Sequence, residues 1–266
     1  MTISRSRTID PVVLLARSLF DGHLFRCLFS FKDKKITMSG KKFRLWDLPT
    51  RLFHWLLVMT MLAAVVSGQL GGNLMDWHGR IGLLMLGLLV FRLVWGVLGS
   101  TYARFLHFFP TPSRIRAYLR GEWQGEGHNP LGALSVFTLL GLLTAQVFTG
   151  LFANDDITFV GPLFELVNKT MSNRLTSVHQ LISNVLIGLV VLHIAAIGFY
   201  DHFKKQKLLR AMITGWKEGD AVSASGGSFV ALIVALLIAG AAIYGGSGAW
   251  LPEPPPPPPA AETPSW

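Results

Sequence analysis

The chain contains little cysteine and little charge. Its single cysteine, Cys27, has no partner for an internal disulfide and lies in no CxxCH sequence, which excludes covalent attachment of a c-type haem. Only 15% of the 266 residues are charged, whereas 51% are hydrophobic. This composition excludes an ordinary soluble domain and predicts an integral membrane protein in contact with lipid.

Five apolar segments are long enough to cross a bilayer: residues 52–70, 81–99, 131–152, 180–200 and 228–246. We therefore predict an all-α integral membrane fold, a four-helix transmembrane bundle with an additional C-terminal transmembrane helix. The last span follows SASGGS, so we expect it to pack loosely as an accessory anchor.

The predicted domain organisation places the four-helix domain at residues 42–216. A flexible linker (217–227), the fifth helix (228–246) and a Pro-rich tail (247–266) follow it. Residues 1–41 are expected to be a cytoplasmic extension, either disordered or a surface helix, and Met38 is an alternative start of translation. The tail is interpreted as a spacer or as a docking segment for an extracytoplasmic partner.

The net charge of +9 does not indicate a nucleic-acid partner, because the basic residues form no single binding face. Twenty of the 24 Lys and Arg precede the first span, lie between spans two and three, or follow span four. The other two loops contain three: Arg80, Lys169 and Arg174. The positive-inside rule then predicts a multi-pass membrane protein with a cytoplasmic N-terminus and with the C-terminal tail on the opposite, outer side.

Four histidines occur at two depths of the predicted bundle. His179 and His193 are fourteen residues apart in the fourth span, so they share one helix face about 21 Å apart along the axis. Chain direction places His78 at the outer depth of His179, and His54 at the inner depth of His193. Buried imidazoles are costly in hydrocarbon and are usually functional. We interpret the two pairs as axial ligands of two non-covalent b-type haems.

A bis-histidine haem iron has no open coordination position, so such a centre transfers electrons. Each ligand must be fixed in one tautomer, and we expect the carbonyl one turn earlier in its own helix to accept from its second nitrogen. His23, His107, His128 and His202 fit a ligand role badly, because they lie in polar segments or on the opposite helix face. His202 is a candidate for proton chemistry with a quinone.

Other candidate cofactor-binding residues follow from spacing and charge. Gly68 lies fourteen residues after His54, where a missing side chain would admit a porphyrin or a neighbouring helix. Arg92, the one permanent charge within the first four spans, lies fourteen after His78 and either neutralises an inner haem propionate or snorkels to the surface. Arg80 and Arg174 flank the outer ligands as propionate candidates. Gln146 is either a quinone or propionate contact or an interhelical hydrogen bond.

Several sequences resemble those of the bacterial cytochrome b561 and nickel-iron hydrogenase cytochrome b subunit family. They are RLWDLPTRLFHW, WHGRIG, FRLVWGVLGSTYARF, LTSVHQ, LHIAAIGFY and LLRAMITGWKEG, and the resemblance covers residues 42–216. It implies a protein of the bacterial cytoplasmic (inner) membrane, with its C-terminal tail in the periplasm. It also implies four core helices, two b haems held by His54, His78, His179 and His193, and electron exchange between the quinone pool and a redox partner protein. That partner is either a hydrogenase or a periplasmic c-type cytochrome.

Two other functions stay open at this stage. A superoxide:quinone oxidoreductase would attract its anion through Arg80, Lys169 and Arg174, although Asp155, Asp156 and Glu165 in the same loop weaken this attraction. A haem-free protein that binds a transition metal would use the same histidines, but the helices offer no carboxylate helpers. The sequence leaves the oligomeric state and the direction of electron flow open, and an oligomer is compatible with it.

Overall fold

The computed structural model describes residues 41–157 and 159–252. The expectations for the N-terminal extension up to residue 40, including the alternative start at Met38, and for the proline-rich part of the tail lie outside the described residues.

The described residues form eight α-helices and one two-stranded antiparallel sheet. The helices are α1 (Leu48–Leu70), α2 (Met75–Leu98), α3 (Phe105–Phe108), α4 (Pro112–Leu119), α5 (Pro130–Leu151), α6 (Lys169–His202), α7 (Leu208–Thr214) and α8 (Phe229–Gly246). The strands are β1 (Lys42–Arg44) and β2 (Trp216–Glu218). Single 3-10 turns occur at Gly72–Leu74, Thr101–Ala103 and Phe164–Leu166.

Five of these helices, α1, α2, α5, α6 and α8, are long and apolar enough to cross a membrane. The predicted all-α membrane bundle with an additional helix is confirmed, and the protein is a multi-pass membrane protein. The largest difference is at α6, which begins at Lys169 rather than near residue 180. Asn168 caps this helix by accepting from the Met171 N–H, so the helix extends through a polar stretch before the apolar one begins.

Local capping explains where α1 and α5 begin. Asp47 accepts from the Thr50 N–H at the start of α1, and Asn129 accepts from the Gly132 N–H at the start of α5. Each cap is followed by a proline within the first two helical positions, where a missing N–H leaves no intrahelical bond unmade. These caps fix the depth at which His54, seven residues into α1, enters the bundle.

The spanning helices pack in chain order, α1 on α2, α2 on α5 and α5 on α6, and α8 packs on α2. The expectation that the fifth span packs loosely is wrong. Gly87 of α2 faces the Ile243 side chain so closely that a Cβ there would lie 2.4 Å from Cδ1, and Ala235 of α8 is fully buried. Small residues on both helices allow this close approach, so α8 is part of the bundle.

One end of the bundle is tied together by segments distant in sequence. Strand β1, just before α1, pairs with β2, just after α7, in the register Phe43 to Lys217. Thr101 donates its N–H to Ser225 O, and the Tyr102 hydroxyl donates to Val222 O. Residues 217–227, which we expected to be a flexible linker, therefore include part of a strand and make hydrogen bonds to the loop after α2.

Candidate functional site

The structure places His78, near the start of α2, beside His179 of α6. Their ring centroids are 6.1 Å apart, and the ring planes are nearly perpendicular at 82°. The two helices reach this depth from distant parts of the chain, and α5 lies between them by packing against both. The end of the bundle that contains the predicted outer pair therefore has two adjacent imidazoles.

Each of these imidazoles is held by a backbone carbonyl of a neighbouring helix. The Nδ1 of His78 lies 2.9 Å from the Ala64 carbonyl oxygen of α1, and the Nδ1 of His179 lies 2.8 Å from the Gln146 carbonyl oxygen of α5. Since a carbonyl only accepts, each Nδ1 carries the proton and each Nε2 keeps its lone pair. The expectation that the acceptor lies one turn earlier in the ligand's own helix is wrong for both residues, because these rings lean against α1 and α5.

Two glycines make room for these rings. A Cβ at Gly68 of α1 would lie 3.0 Å from Cε1 of His78, and a Cβ at Gly150 of α5 would lie 2.9 Å from Cε1 of His179. The sequence singled out Gly68 as a porphyrin or helix contact, whereas the structure places the His78 ring on that face. Gly150 was missed as a site residue. It is one of three glycines in the third span, with Gly132 and Gly141, that are spaced nine residues apart.

The centroid separation of the outer pair is compatible with one metal ion between the two rings. Metal–imidazole bonds of about 2.0–2.1 Å, with about 1.1 Å from ring centre to nitrogen, place the centroids of two opposed ligands about 6.2–6.4 Å apart. The measured separation is 6.1 Å. With both Nδ1 protons directed at carbonyls, Nε2 is the nitrogen of each ring that keeps its lone pair.

The inner pair, His54 and His193, lies toward the basic end of the bundle. We use this name for the end that carries the basic segments before α1, between α2 and α5, and after α6. His193 Nδ1 lies 3.4 Å from the Ser135 hydroxyl, and His54 Nδ1 is buried without a hydrogen-bond partner among the described residues. Both act electrostatically on the same neighbour, His128. The three histidines and Arg92 therefore form one group at the inner depth.

His128 was set aside in the sequence because it lies in a polar segment. Its ring contacts Phe108 at 4.5 Å and Trp46 at 4.7 Å between centroids. The pKa of His128 is lowered to about 3. Burial is the largest cause, and the charges of Arg92, His193 and His54 also contribute. The available signal was its place before the Asn129 cap of α5, a position whose side chain commonly packs inward.

Arg92 is buried in the bundle, with 4% of its surface exposed. Its guanidinium lies 4.5 Å from the Phe105 ring centroid, and its Nη1 has no hydrogen-bond partner in the part of the chain that the structure describes. No ion pair involves Arg92 within the described residues. Snorkelling to the surface, one of the two interpretations of this residue, is wrong. A buried cation with an unsatisfied donor is costly. The Asp47 carboxylate acts on Arg92 electrostatically, and Nη1 can still donate to a further anionic group.

The remaining candidates lie at the outer end. Arg80 and Arg174 are both exposed, and the Arg80 guanidinium lies 5.1 Å from the Trp77 ring centroid. The side-chain amide nitrogen of Gln146 lies 3.0 Å from Nε2 of His179. Gln146 therefore makes an interhelical hydrogen bond, and its Oε1 is buried without a partner among residues 41–157 and 159–252.

A cavity of about 440 Å³ opens beside His128 at the basic end of the bundle. It combines aromatic walls with polar groups, and it is lined by Tyr102, His107, Phe108, Arg114, Trp123, Gly125, Glu126, His128 and Pro130. Burial, then Arg114 and Arg104, lowers the pKa of His107. Such a mixed cavity is typical of a small-molecule site.

Within the described ranges, no three His, Cys, Asp or Glu side chains converge as a metal site of their own. The site consists instead of paired imidazoles at two depths of a membrane bundle, with one tautomer fixed in the outer pair. Paired axial imidazoles with no further protein ligand are typical of haem iron in electron-transfer proteins. The fold and the site together define a membrane cytochrome of the b type.

Comparison with known proteins agrees with this class. The sequence model of the prokaryotic cytochrome b561 family matches residues 45–215, and the chain belongs to this family. The chain is also similar to the probable Ni/Fe-hydrogenase B-type cytochrome subunit of Azotobacter chroococcum mcd 1, at 24% identity over 213 residues, covering 65% of this chain and 87% of that protein. No solved structure matches the chain. The protein is thus a membrane cytochrome of electron transport.

Proposed function

We propose that this protein holds two b-type haems and transfers electrons across the bacterial inner membrane between the quinone pool and a partner redox protein. The observation that carries the proposal is the outer pair, whose 6.1 Å centroid separation and fixed Nδ1–H tautomers suit two axial ligands. A haem iron held by such imidazoles would supply reversible one-electron chemistry.

In this proposal, His78 and His179 hold the outer haem, and His54 and His193 hold the inner one. The Gln146 amide, now on Nε2 of His179, would turn away when that nitrogen binds iron. Arg92 supplies a positive charge at the inner depth and suits a propionate. Arg80 and Arg174, exposed at the outer end, suit the propionates of the outer haem.

We place quinone exchange at the basic end, in the cavity beside His128. Its aromatic walls suit an apolar ring, and His107 and Glu126 offer polar groups for the quinone oxygens. A neutral His128 separates this cavity from the inner pair. The basic residues of this end orient it toward the cytoplasm, which leaves the outer end and the C-terminal tail on the periplasmic side.

The partner protein is proposed from the chemistry of the outer end and from the similar protein. The Azotobacter chroococcum protein is described as a subunit of a Ni/Fe-hydrogenase. We therefore propose a hydrogenase as the redox partner, with a periplasmic c-type cytochrome as the alternative. Purifying the tagged chain from its native membrane and identifying a redox protein recovered with it in stoichiometric amount would distinguish the two.

Haem stoichiometry tests the ligand assignment. A pyridine haemochrome assay on the purified chain should give two b haems per chain. His54→Ala and His193→Ala should each remove the same haem, and His78→Ala and His179→Ala should each remove the other, because each pair shares one iron. A chain without haem would refute the proposal, and losses that paired His54 with His78 would refute the assignment by depth.

A superoxide:quinone oxidoreductase is the second candidate, favoured by the exposed Arg80 and Arg174 at the outer end. The charge of Lys169 adds little to such attraction, because this lysine pairs with Asp156. Quinone-dependent consumption of superoxide by the purified protein, reduced at least tenfold in an Arg80→Glu/Arg174→Glu double variant, would establish this activity. Equal superoxide consumption by the wild-type protein and the double variant would show that these arginines do not attract the anion.

A further inference from the structure

Two hexapeptides on different helices share a pattern. Residues 63–68 of α1 read AAVVSG, and residues 145–150 of α5 read AQVFTG. Both have alanine first, valine third, a hydroxyl residue fifth and glycine last. We call these segments the α1 cradle and the α5 cradle. Each faces one histidine of the outer pair, so the two similar sequences occupy similar positions in the structure.

The hydroxyl of each cradle bonds to its own helix in the same way. Ser67 Oγ donates to the carbonyls of Ala63 and Ala64, at 2.7 and 3.2 Å. Thr149 Oγ1 has the equivalent partners, Ala145 O at 2.9 Å and Gln146 O at 3.0 Å. Because the hydroxyl proton is directed at the helix, the oxygen presents a lone pair outward.

The histidine contacts are equivalent too. In each cradle the carbonyl of the second residue accepts from Nδ1, and the hydroxyl oxygen lies 3.3 Å from the same Nδ1. A Cβ on the glycine would meet Cε1 and Nδ1 at 3.0 and 3.1 Å in the α1 cradle, and at 2.9 and 3.2 Å in the α5 cradle. Two different chain segments thus build the same surroundings for two imidazoles.

We propose that the two cradles are a duplicated device that fixes the tautomer and the ring plane of the outer histidines. Ser67, Gly68, Thr149 and Gly150 are its positioning residues. The inference rests on the proposed function, in which these histidines are haem ligands. It goes further by assigning the control of the outer haem's ligand field to two hexapeptides of the neighbouring helices.

The physical reason lies in the shared proton of Nδ1. A carbonyl and a hydroxyl oxygen both attract it, which makes the imidazole a stronger electron donor through Nε2 and stabilises the oxidised metal. The glycine lets the ring lie against the helix backbone, so that the ring cannot rotate toward it without a clash. The inner pair lacks this arrangement: within the described residues His193 Nδ1 contacts a hydroxyl, at 3.4 Å, without a carbonyl, and His54 Nδ1 has no partner.

Matched variants of the full-length protein test the role of the hydroxyl. Thr149→Val and Ser67→Ala should raise the midpoint potential of the outer haem and leave the inner haem unchanged, and Thr149→Ser should keep the wild-type value. Thr144→Val is the control, because Thr144 bonds back to Leu140 O in the same helix without facing a histidine in the described structure. If each haem had the same midpoint potential in Thr149→Val as in Thr144→Val, the inference would be overturned.

The glycines are tested by spectroscopy. Gly150→Ala and Gly68→Ala should change the low-spin ferric electron paramagnetic resonance signal of the outer haem, or reduce the haem count from two to one with the inner haem retained. Gly141→Ala is the control, because its Cβ would meet nothing within 4 Å. The retained inner haem shows that each variant has folded. Unchanged outer signals in both glycine variants would contradict the device.

One measurement separates this inference from the proposed function. Ring-nitrogen resonances of His78 and His179 report the tautomer whether or not haem is bound. A wild-type chain without haem would refute the proposed function. The cradles would still be supported if His78 and His179 were both Nδ1–H tautomers, and if Gly150→Ala changed the tautomer of His179 while Gly141→Ala did not. A mixture of tautomers in the wild-type protein would overturn them.

Discussion

Arg92 shows how one buried side chain relates to cofactor electronics. Its guanidinium is shielded by Phe105, has an unpartnered Nη1 and lies near the inner histidines and His128. Charge in such a setting is only weakly screened. Arg92 therefore favours any state of the inner site that carries more negative charge, including a propionate and a reduced iron.

We expect Arg92→Leu to lower the midpoint potential of the inner haem. The shift should be on the order of 60–130 mV, since a hydrogen bond to a charged group contributes about 1.5–3 kcal/mol and 59 mV corresponds to tenfold for one electron. Potentiometric titration of the α bands measures both haems. Arg92→Lys keeps the charge and serves as the control. An equal shift of both haems would contradict a local role for Arg92.

His128 predicts a pH dependence of stability. Its pKa is lowered from 6.5 to about 3 in the folded state, first by burial and then by Arg92. Between these values the unfolded state binds a proton that the folded state does not, so this contribution to stability is complete above pH 6.5 and is lost as the pH falls toward 3.

His128→Phe should therefore reduce the loss of thermal stability on acidification from pH 7 to pH 4, because phenylalanine fills the space between Trp46 and Phe108 and binds no proton. Thermal unfolding at several pH values measures the effect. The exposed His202 provides the control, as His202→Phe. An acid sensitivity that is identical in wild type and His128→Phe would show that other groups cause it.

At the scale of the helices, the contact between α2 and α8 makes a direct prediction. Gly87→Ala would place a methyl group 2.4 Å from Cδ1 of Ile243. Overpacking of this kind costs about 1–3 kcal/mol, so the variant should unfold at a lower temperature. Gly82→Ala on the same helix meets nothing within 4 Å and should leave the unfolding temperature unchanged.

A second substitution tests the cause of that loss. Ile243→Ala in the Gly87→Ala chain should recover part of the stability, because it removes the side chain that the new methyl group meets. A double-variant cycle measures this coupling. Strict additivity of the two substitutions would show that α2 and α8 do not meet at this point in the membrane.

For the whole molecule, the charge distribution predicts an orientation. Alkaline phosphatase fused after Glu122, in the basic loop, should be inactive, and the same enzyme fused after Pro252 should be active, since it requires the periplasm to fold. Green fluorescent protein at the same two positions should give the reverse result. Activity at both positions or at neither would contradict a single orientation.

The sequence was sufficient for the features that depend on local period and chain direction. Five apolar runs predicted five spanning helices, and the spacing of His179 and His193 predicted one shared face. The start of α6 was misplaced because the capped polar turns before residue 180 have no apolar signal. Helix existence follows from composition, whereas helix ends depend on single capping residues such as Asn168.

Features that depend on contacts between helices were not predictable in the same way. The carbonyls that hold His78 and His179 belong to other helices, and no spacing within one helix indicates them. The place of His128 depends on how the loop after α2 folds against the inner pair. The resemblance between residues 63–68 and 145–150 was present in the sequence, but its meaning emerges only when each segment lies against a histidine.

The pairing of β1 with β2 has a consequence for biogenesis. Arg44 is opposite Trp216, so about 170 further residues must be synthesised before β1 can pair with β2. During membrane insertion, α1 and α6 are consequently joined only through α2 and α5, and the sheet forms after the fourth span has entered the lipid. Formation of the sheet is therefore a late step of assembly, and it joins the segment before α1 to the segment after α7 once the spans between them have been made.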